Sequence, residues 1–273
     1  MRRVPKVILR KTPPAERLNQ RVQIACWVAG GLIALVLVIG ALRQDSGNNA
    51  TPVKETASAA ETPAPVRAEK PSRPFDTARI FEDASRAVVR ISVFDVFGRK
   101  TATGSGFFIS EDGLLVTNFH VVEGAHTATV KTINGDVYNV AGAIALHKDY
   151  DIAVLSTGGR NHSFLELSDA TRVAPGTRIA VIGNPLGFEF SITEGIVSGT
   201  RTDEDEHEML QITAAISPGS SGGPVIDASG KVVAVVRSHF IRGQMLNFAV
   251  PADVPLWLWR KSGSTLMPLT LAR

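Results

Sequence analysis

Residues 216–225 read Ile-Ser-Pro-Gly-Ser-Ser-Gly-Gly-Pro-Val, a loop in which glycines flank two adjacent serines. A serine hydroxyl is a poor nucleophile unless a neighbouring base takes its proton. Glycines adopt the backbone dihedrals that turn nearby N–H groups toward one point, as an oxyanion hole requires. Such a stretch alone is more often an ordinary loop, so its meaning depends on what other parts of the chain supply.

Two other stretches supply a base and a carboxylate. His120 follows the apolar run that begins at Leu114, and Asp151 immediately precedes the run Ile-Ala-Val-Leu at 152–155. In a catalytic triad the histidine takes the serine proton, and a buried carboxylate fixes the histidine tautomer and stabilises the imidazolium. We therefore predict Ser221 as the nucleophile, His120 as its general base and Asp151 as the residue that orients the histidine.

The sequence around these residues predicts an all-β fold. From Ala87 onwards, short runs rich in Val, Ile and Thr are separated by turns of Gly, Asn and Asp. The first series comprises 87–96, 106–110, 114–117, 127–132, 137–145 and 152–155. The second comprises 178–182, 188–198, 209–213, 224–226, 232–237 and 246–250. Two series of six strands predict a double six-stranded β-barrel, with barrels at about 87–165 and 172–251 and the site in the cleft between them. Short helices are predicted at 80–87 and 251–261.

Several stretches occur together and in a characteristic order. They are Thr-Asn-Phe-His-Val-Val at 117–122, Asp-Ile-Ala-Val-Leu at 151–155, Ile-Gly-Asn-Pro-Leu-Gly at 182–187, Thr-Glu-Gly-Ile-Val-Ser at 193–198, Gly-Ser-Ser-Gly-Gly-Pro at 219–224 and Phe-Ala-Val-Pro at 248–251. With them, residues 79–262 resemble the HtrA/Deg branch of the trypsin-like (chymotrypsin-fold) serine proteases. This resemblance implies the chymotrypsin-like double barrel, endopeptidase activity on polypeptides, no cofactor and a location outside the cytoplasm. Relatives often form trimers, so it also implies a homo-oligomer.

The chain departs from the family pattern around the serine loop. Thr213 stands where the family usually has an aspartate, and Ser217 and Ser220 replace two asparagines. These changes leave the predicted triad intact but bear on the order of the loop and on the specificity pocket. About fifty residues follow Ser221, which we expect to complete the second barrel and leave no room for a PDZ domain.

Two adjacent serines compete for the role of nucleophile. The Gly-x-Ser-Gly-Gly pattern selects Ser221, and Ser220 is the alternative. The backbone N–H groups of Gly219, Ser220 and Ser221 are predicted to form the oxyanion hole. Small and aliphatic residues nearby are predicted to shape an apolar substrate pocket; they are Ala214, Ala215, Val235 and Val236.

Residues 24–42 form a stretch of 19 residues without a charged side chain, bracketed by Arg21 and Arg43. At helical rise this length spans about 30 Å, the thickness of a bilayer core. The basic residues that precede it predict a cytoplasmic N-terminus and export of the rest. We therefore predict a single-pass anchor in the inner membrane and a lipid bilayer as partner. A cleaved signal peptide normally has shorter basic and apolar regions, and a buried core helix normally has a polar face.

The predicted order along the chain is a basic cytoplasmic tail at 1–23, the transmembrane anchor at 24–42, a linker at 43–78, the protease domain at 79–262 and a C-terminal tail at 263–273. The linker is rich in Ala, Pro, Thr, Ser and Glu and has few large apolar residues. This composition predicts a flexible tether that holds the protease domain away from the membrane.

Composition excludes several other classes of protein. The single cysteine, Cys26, rules out an intrachain disulfide and a cysteine-based metal site. Up to Arg21 the formal charge is +6, from seven basic residues and Glu16, whereas the whole chain carries +3, so the remainder carries −3. The basic character belongs to the tail, which argues against nucleic-acid binding. The acidic run 203–208 is more typical of a solvated loop than of a metal site, and His239 is either a cleft residue or a surface residue.

The sequence therefore predicts a membrane-anchored endopeptidase facing the periplasm or an equivalent exported space. The expected substrates are misfolded polypeptides or regulatory membrane proteins. The alternative is a latent or inactive protease fold that serves as a tethered binding or chaperone module, which the changes at Thr213 and Ser220 keep open.

Overall fold

The structure is a computed structural model that describes residues 74–170, 172–184, 190–203, 206–237 and 247–272. The predicted cytoplasmic tail, the anchor at 24–42 and the linker up to residue 73 lie outside the described residues. All described residues belong to one unit, Pro65–Arg273. Within the described ranges, no helix has the length and apolar character needed to cross a bilayer.

Seven strands form the first antiparallel sheet. They are β1 (Val88–Phe94), β2 (Lys100–Phe108), β3 (Leu114–Thr117), β4 (Thr127–Thr132), β5 (Val137–Asn139), β6 (Gly142–His147) and β7 (Ile152–Ser156). Their spatial order is β5-β4-β1-β2-β3-β7-β6. Alternate residues of β1, namely Val89, Ile91 and Val93, are buried against Phe108 and Leu115. This period-two burial is what the alternation of apolar residues predicts for a sheet with one core face.

The first sheet differs from the predicted six-stranded barrel because the run 137–145 is two strands. Consecutive residues bond to opposite neighbours at the break: the Val140 N–H donates to the Ala128 carbonyl at 2.9 Å, and the Ala141 N–H donates to the Ser156 carbonyl at 2.7 Å. The chain thus leaves β4 and joins β7 within two residues. As a result β5 and β6 lie at opposite ends of the sheet order.

Six strands close the second barrel, in agreement with the prediction. They are β8 (Arg178–Gly183), β9 (Ser191–Thr202), β10 (Glu208–Ile212), β11 (Pro224–Ile226), β12 (Val232–Arg237) and β13 (Asn247–Pro251). The closed order is β10-β13-β12-β11-β8-β9. Inside it, Ile179, Val181, Leu210, Ile212 and Val225 form one buried cluster. Closure pairs the edges of the sheet and surrounds this cluster.

In the part of the chain that the structure describes, helices are few and short: α1 (Thr77–Ala84), α2 (Phe119–Val122), α3 (Asp253–Lys261) and a 3₁₀ turn at Leu269–Leu271. The segment after Ser262 packs on the first sheet and does not leave the domain as a free tail. Met267 exchanges two backbone hydrogen bonds with Ala143 at 2.7 and 2.8 Å, and Leu269 is buried. Burial of the Leu269 side chain stabilises the packing of this segment on the first sheet. The position of the segment at the end of the sequence did not predict this contact.

Ser105 of β2 joins the two sheets. Its N–H donates to the Ser221 carbonyl at 2.8 Å, and its hydroxyl donates to the Gly219 carbonyl at 2.6 Å. The same hydroxyl accepts the Asn184 N–H at the end of β8, at 3.0 Å. Ser105 is completely buried, so these bonds attach the serine loop of the second barrel directly to the first sheet.

Candidate active site

His120 and Asp151 form the centre of the candidate site. The His120 Nδ1 lies 2.7 Å from the Asp151 Oδ2, and the His120 backbone N–H donates to the Asp151 Oδ1 at 2.9 Å. The Asp151 side chain is only 5% exposed, whereas the His120 ring is 35% exposed. Because a carboxylate only accepts, the short contact requires a proton on Nδ1, and in the neutral imidazole this leaves Nε2 as a hydrogen-bond acceptor.

A tight turn at the start of β7 presents the Asp151 carboxylate to α2. Asp151 has φ of 57°, in the left-handed region that aspartate enters more readily than most residues. Its carbonyl accepts hydrogen bonds from the Asn118 side-chain amide at 2.9 Å and from the Phe119 N–H at 3.1 Å. The backbone and the side chain of Asp151 therefore both hold the first turn of α2, and with it His120.

Ser221 lies on the loop between β10 and β11, next to the residues that lead into α2. Gly222 has φ of 84°, and its N–H donates to the Val236 carbonyl at 3.0 Å. A side chain at Gly222 would meet the Ser105 carbonyl, the Thr117 hydroxyl and the Asn118 N–H. Only a glycine fits this approach, which brings the Ser221 loop against the segment that precedes His120.

Ser220 has a different environment from Ser221. The Ser220 N–H donates to the Ser217 carbonyl at 2.9 Å, and the Ser220 hydroxyl accepts the Ser217 N–H at 3.4 Å. The N–H predicted for the oxyanion hole at this position is therefore committed to the turn. The N–H groups of Gly219 and Ser221 have no hydrogen-bond partner among the described residues.

The four predicted pocket residues do not share one environment. Ala214, Val235 and Val236 are fully buried in the core. Ala215 is exposed and, with Ser220, lines a cavity of about 150 Å³. A larger cavity of about 690 Å³ lies between α1 and the turn that joins β11 to β12, and its lining includes none of the three predicted triad residues.

His162, His239 and the acidic run 203–208 lie outside the proposed triad. His162 stacks on Phe108 with 4.1 Å between ring centroids, and burial lowers the pKa of the His162 imidazole. Glu204 and Asp205 of the acidic run, and His239, lie outside the described residues. Within the ranges that the structure covers, no group of three or more His, Cys, Asp or Glu side chains is arranged to hold a metal ion.

Sequence reasoning missed two residues of the site. Ser105 belongs to the Gly-Ser-Gly stretch at 104–106, but its junction with the serine loop depends on contacts more than a hundred residues apart. Arg237 places its Nε 3.7 Å from the Asp151 Oδ2. An arginine at the end of an apolar strand normally reaches solvent, so its sequence position gives no signal of this contact.

Comparison with known proteins finds sequences similar to this chain. Residues 104–235 match the family described as "Trypsin-like peptidase domain". The chain is 33% identical over 270 residues to the serine protease Do-like HtrB of Bacillus subtilis, covering 84% of this chain and 57% of that one. It is 37% identical over 163 residues to the "Probable periplasmic serine endoprotease DegP-like" of Halomonas elongata, covering 58% of this chain and 34% of that one. The chain thus spans less than two thirds of either relative.

A solved structure shares the fold. The HtrA-type protease AlgW, determined with a tripeptide, superposes with a TM-score of 0.62 at 27% sequence identity. The match covers 68% of this chain and 62% of that one. The described part of this chain has an all-β, chymotrypsin-like fold with one open sheet and one closed barrel.

Substitution of Gly222 tests the close approach of the serine loop. Gly222→Ala and Gly230→Ala both place alanine at similar positive φ, 84° and 86°, and each incurs about 1–2 kcal/mol of backbone strain. Only at Gly222 does the methyl group also meet packed atoms, among them the Thr117 hydroxyl at 2.5 Å. We expect Gly222→Ala to lower the free energy of unfolding by about 3 kcal/mol or more, and Gly230→Ala by about 1–2 kcal/mol. Urea denaturation measures both, and equal losses would contradict the packing described for Gly222.

Proposed function

We propose that this chain is a serine endopeptidase that cleaves polypeptides. The premise is that residues 104–235 form a trypsin-like peptidase domain with HtrA- and DegP-type relatives. Ser221 is the proposed nucleophile, His120 the general base and Asp151 the orienting carboxylate. The observation that carries this proposal is the 2.7 Å contact between His120 Nδ1 and the buried Asp151 Oδ2. The proposed protease domain extends over residues 79–262.

The proposed reaction follows from the tautomer of His120. With its proton on Nδ1, the imidazole uses Nε2 to take the proton of the Ser221 hydroxyl as the Oγ attacks the scissile carbonyl carbon. The resulting imidazolium lies against the Asp151 carboxylate, which stabilises it. His120 then gives the proton to the leaving amine, and water hydrolyses the acyl-enzyme. The N–H groups of Gly219 and Ser221 are the proposed donors to the oxyanion.

The loop contacts support Ser221 rather than Ser220 as nucleophile. The Ser220 hydroxyl is occupied within the turn by the Ser217 N–H. Two contacts hold the loop against the first sheet at Ser221. The Ser221 carbonyl accepts the Ser105 N–H, and Gly222 lies close to Ser105 and Thr117. We propose the Ala215 side of the loop as the pocket for the side chain before the scissile bond.

We also propose that the protease is anchored in the inner membrane by residues 24–42 and works on the exported side. The uncharged length of this stretch and the basic residues before it support this orientation. The periplasmic assignment in the name of the Halomonas elongata relative agrees with it. Misfolded polypeptides and regulatory membrane proteins are the proposed substrates, and a trimer is the proposed assembly by resemblance to the family.

Active-site labelling tests the nucleophile. A fluorophosphonate probe phosphonylates an activated serine, so the wild-type protein and Ser220→Ala are expected to be labelled and Ser221→Ala is not. The adjacent serine is a matched control because it lies in the same loop. Labelling of Ser221→Ala but not of Ser220→Ala would assign the nucleophile to Ser220. A folded wild-type protein that never labels would favour the latent binding module.

A peptide library tests the substrate pocket. The cavity of about 150 Å³ beside Ala215 is smaller than the roughly 300–1,000 Å³ of pockets for drug-sized ligands. We expect small or aliphatic side chains to precede the cleaved bond, as measured by mass spectrometry of the products. A profile dominated by Arg or Lys before the cleaved bond would reject this pocket.

Fractionation tests the anchor. The full chain is expected to remain in the membrane pellet after alkaline carbonate extraction, whereas a chain that begins at residue 74 is expected in the supernatant. In spheroplasts, added protease should reach the domain of the full chain. Release of the full chain by carbonate, or protection of its domain in spheroplasts, would refute the proposed topology.

A further inference from the structure

Arg237 lies between two carboxylates. It is the last residue of β12, and its side chain is 19% exposed. The Nε lies 3.7 Å from the Asp151 Oδ2, and the Nη1 lies 3.4 Å from the Asp203 Oδ2. The Arg237 Nε is buried without a hydrogen-bond partner among the described residues, so the Asp151 carboxylate is the charge that compensates it.

These contacts cross the boundary between the two sheets. Asp151 lies in the turn before β7 of the first sheet, whereas Asp203 follows β9 of the second barrel. The His207 N–H donates to the Asp203 Oδ1 at 2.9 Å, and the His207 ring lies 4.2 Å from the ring of Tyr150, the neighbour of Asp151. The turn that holds Asp203 therefore also packs against the turn that holds Asp151.

The Asp151 carboxylate depends on more than His120. Its two oxygens accept from the backbone and the ring of His120, and both partners belong to the residue that Asp151 has to orient. Arg237 is the cation that approaches the same Oδ2 from the second barrel. A fixed positive charge at this distance attracts the carboxylate and restrains its rotation.

We infer that Arg237 is a positioning residue of the proposed protease, which holds the Asp151 carboxylate aligned with His120 from the opposite barrel. This inference rests on the proposed function, since alignment of His120 matters only if His120 serves as a base. Arg237 acts through Asp151 and need not touch the substrate. Its loss should lower the rate of the chemical step and leave substrate binding unchanged.

The test compares Arg237→Met, Arg237→Lys and Arg99→Met. Methionine keeps much of the side-chain length and removes the charge, and lysine retains the charge. Arg99→Met is the matched control because Arg99 forms an exposed ion pair with Asp95, 2.8 Å apart, in the turn between β1 and β2. With a peptide from the library, we expect Arg237→Met to lower kcat by about tenfold with KM within about twofold, and Arg237→Lys to recover most of the loss. Arg99→Met should leave both constants unchanged.

A second measurement does not require catalysis. The Nδ1 proton of His120, in its short contact with Asp151, should give a downfield proton resonance in protein labelled with ¹⁵N-histidine. We expect this resonance in the wild type and in Arg99→Met, and a shifted or broadened resonance in Arg237→Met. If Arg237→Met does not fold, Arg237→Lys and Asp203→Asn provide the comparison, since Asp203→Asn removes the charge at the other end of the guanidinium.

The outcomes separate the two proposals. An unchanged resonance and unchanged kcat in folded Arg237→Met would overturn the role of Arg237. A higher kcat in Arg237→Met would also overturn it, because the arginine would then slow the chemical step. A wild type that neither labels nor cleaves refutes the proposed function, and the resonance alone then decides whether Arg237 positions Asp151.

Discussion

The hydrogen bonds of Ser105 are the constraint on which the site depends. His120 and Asp151 are attached to the first sheet, and Ser221 is attached to the second barrel. The contacts that join the first sheet to the second barrel therefore set the relative positions of the three residues. The Ser105 N–H and hydroxyl bind the carbonyls on either side of Ser220, and the Ser105 carbonyl accepts the Thr117 hydroxyl at 2.7 Å. Because Ser105 and Thr117 are completely buried, breaking one of these bonds leaves a buried polar group unsatisfied, at about 1–3 kcal/mol. The junction is therefore stiff where the chemistry requires precision.

Asp151 shows how one residue links local backbone conformation to electrostatics. Its left-handed φ directs the carbonyl toward Asn118 and Phe119 while the carboxylate faces His120. A valine or isoleucine in the same conformation would be strained and could not accept a hydrogen bond from the His120 ring. The shape of the turn and the charge of the side chain are thus satisfied by the same residue type.

The sequence predicts the strands well where apolar alternation is bounded by turn residues. The strands at 114–117, 127–132, 224–226 and 232–237 have their predicted bounds, and the second barrel has its six strands. The break at Val140 and Ala141 could not be predicted, because alternation reports which face a residue occupies and not which neighbour its backbone joins. The early start of β2 at Lys100 was missed for a related reason. Its first residues are exposed and polar, and they are in a strand because β1 pairs with them.

The residue types of the candidate site can be predicted from the sequence, whereas the geometry of its loop cannot. Proton transfer requires particular residue types in a triad. Ser221, His120 and Asp151 can therefore be recognised in the sequence, and they remain the proposed triad. The commitment of the Ser220 N–H to Ser217 is a matter of loop geometry, which three consecutive residues do not encode.

The contacts of Arg237 are the hardest to predict from a sequence pattern, because its two partners lie in turns of different sheets. Asp151 and Asp203 would repel each other across that boundary without a cation between them. The guanidinium has donors on separate nitrogens and can face both carboxylates at once. An arginine at the end of β12 therefore links Asp203 of the second barrel to the carboxylate that contacts His120.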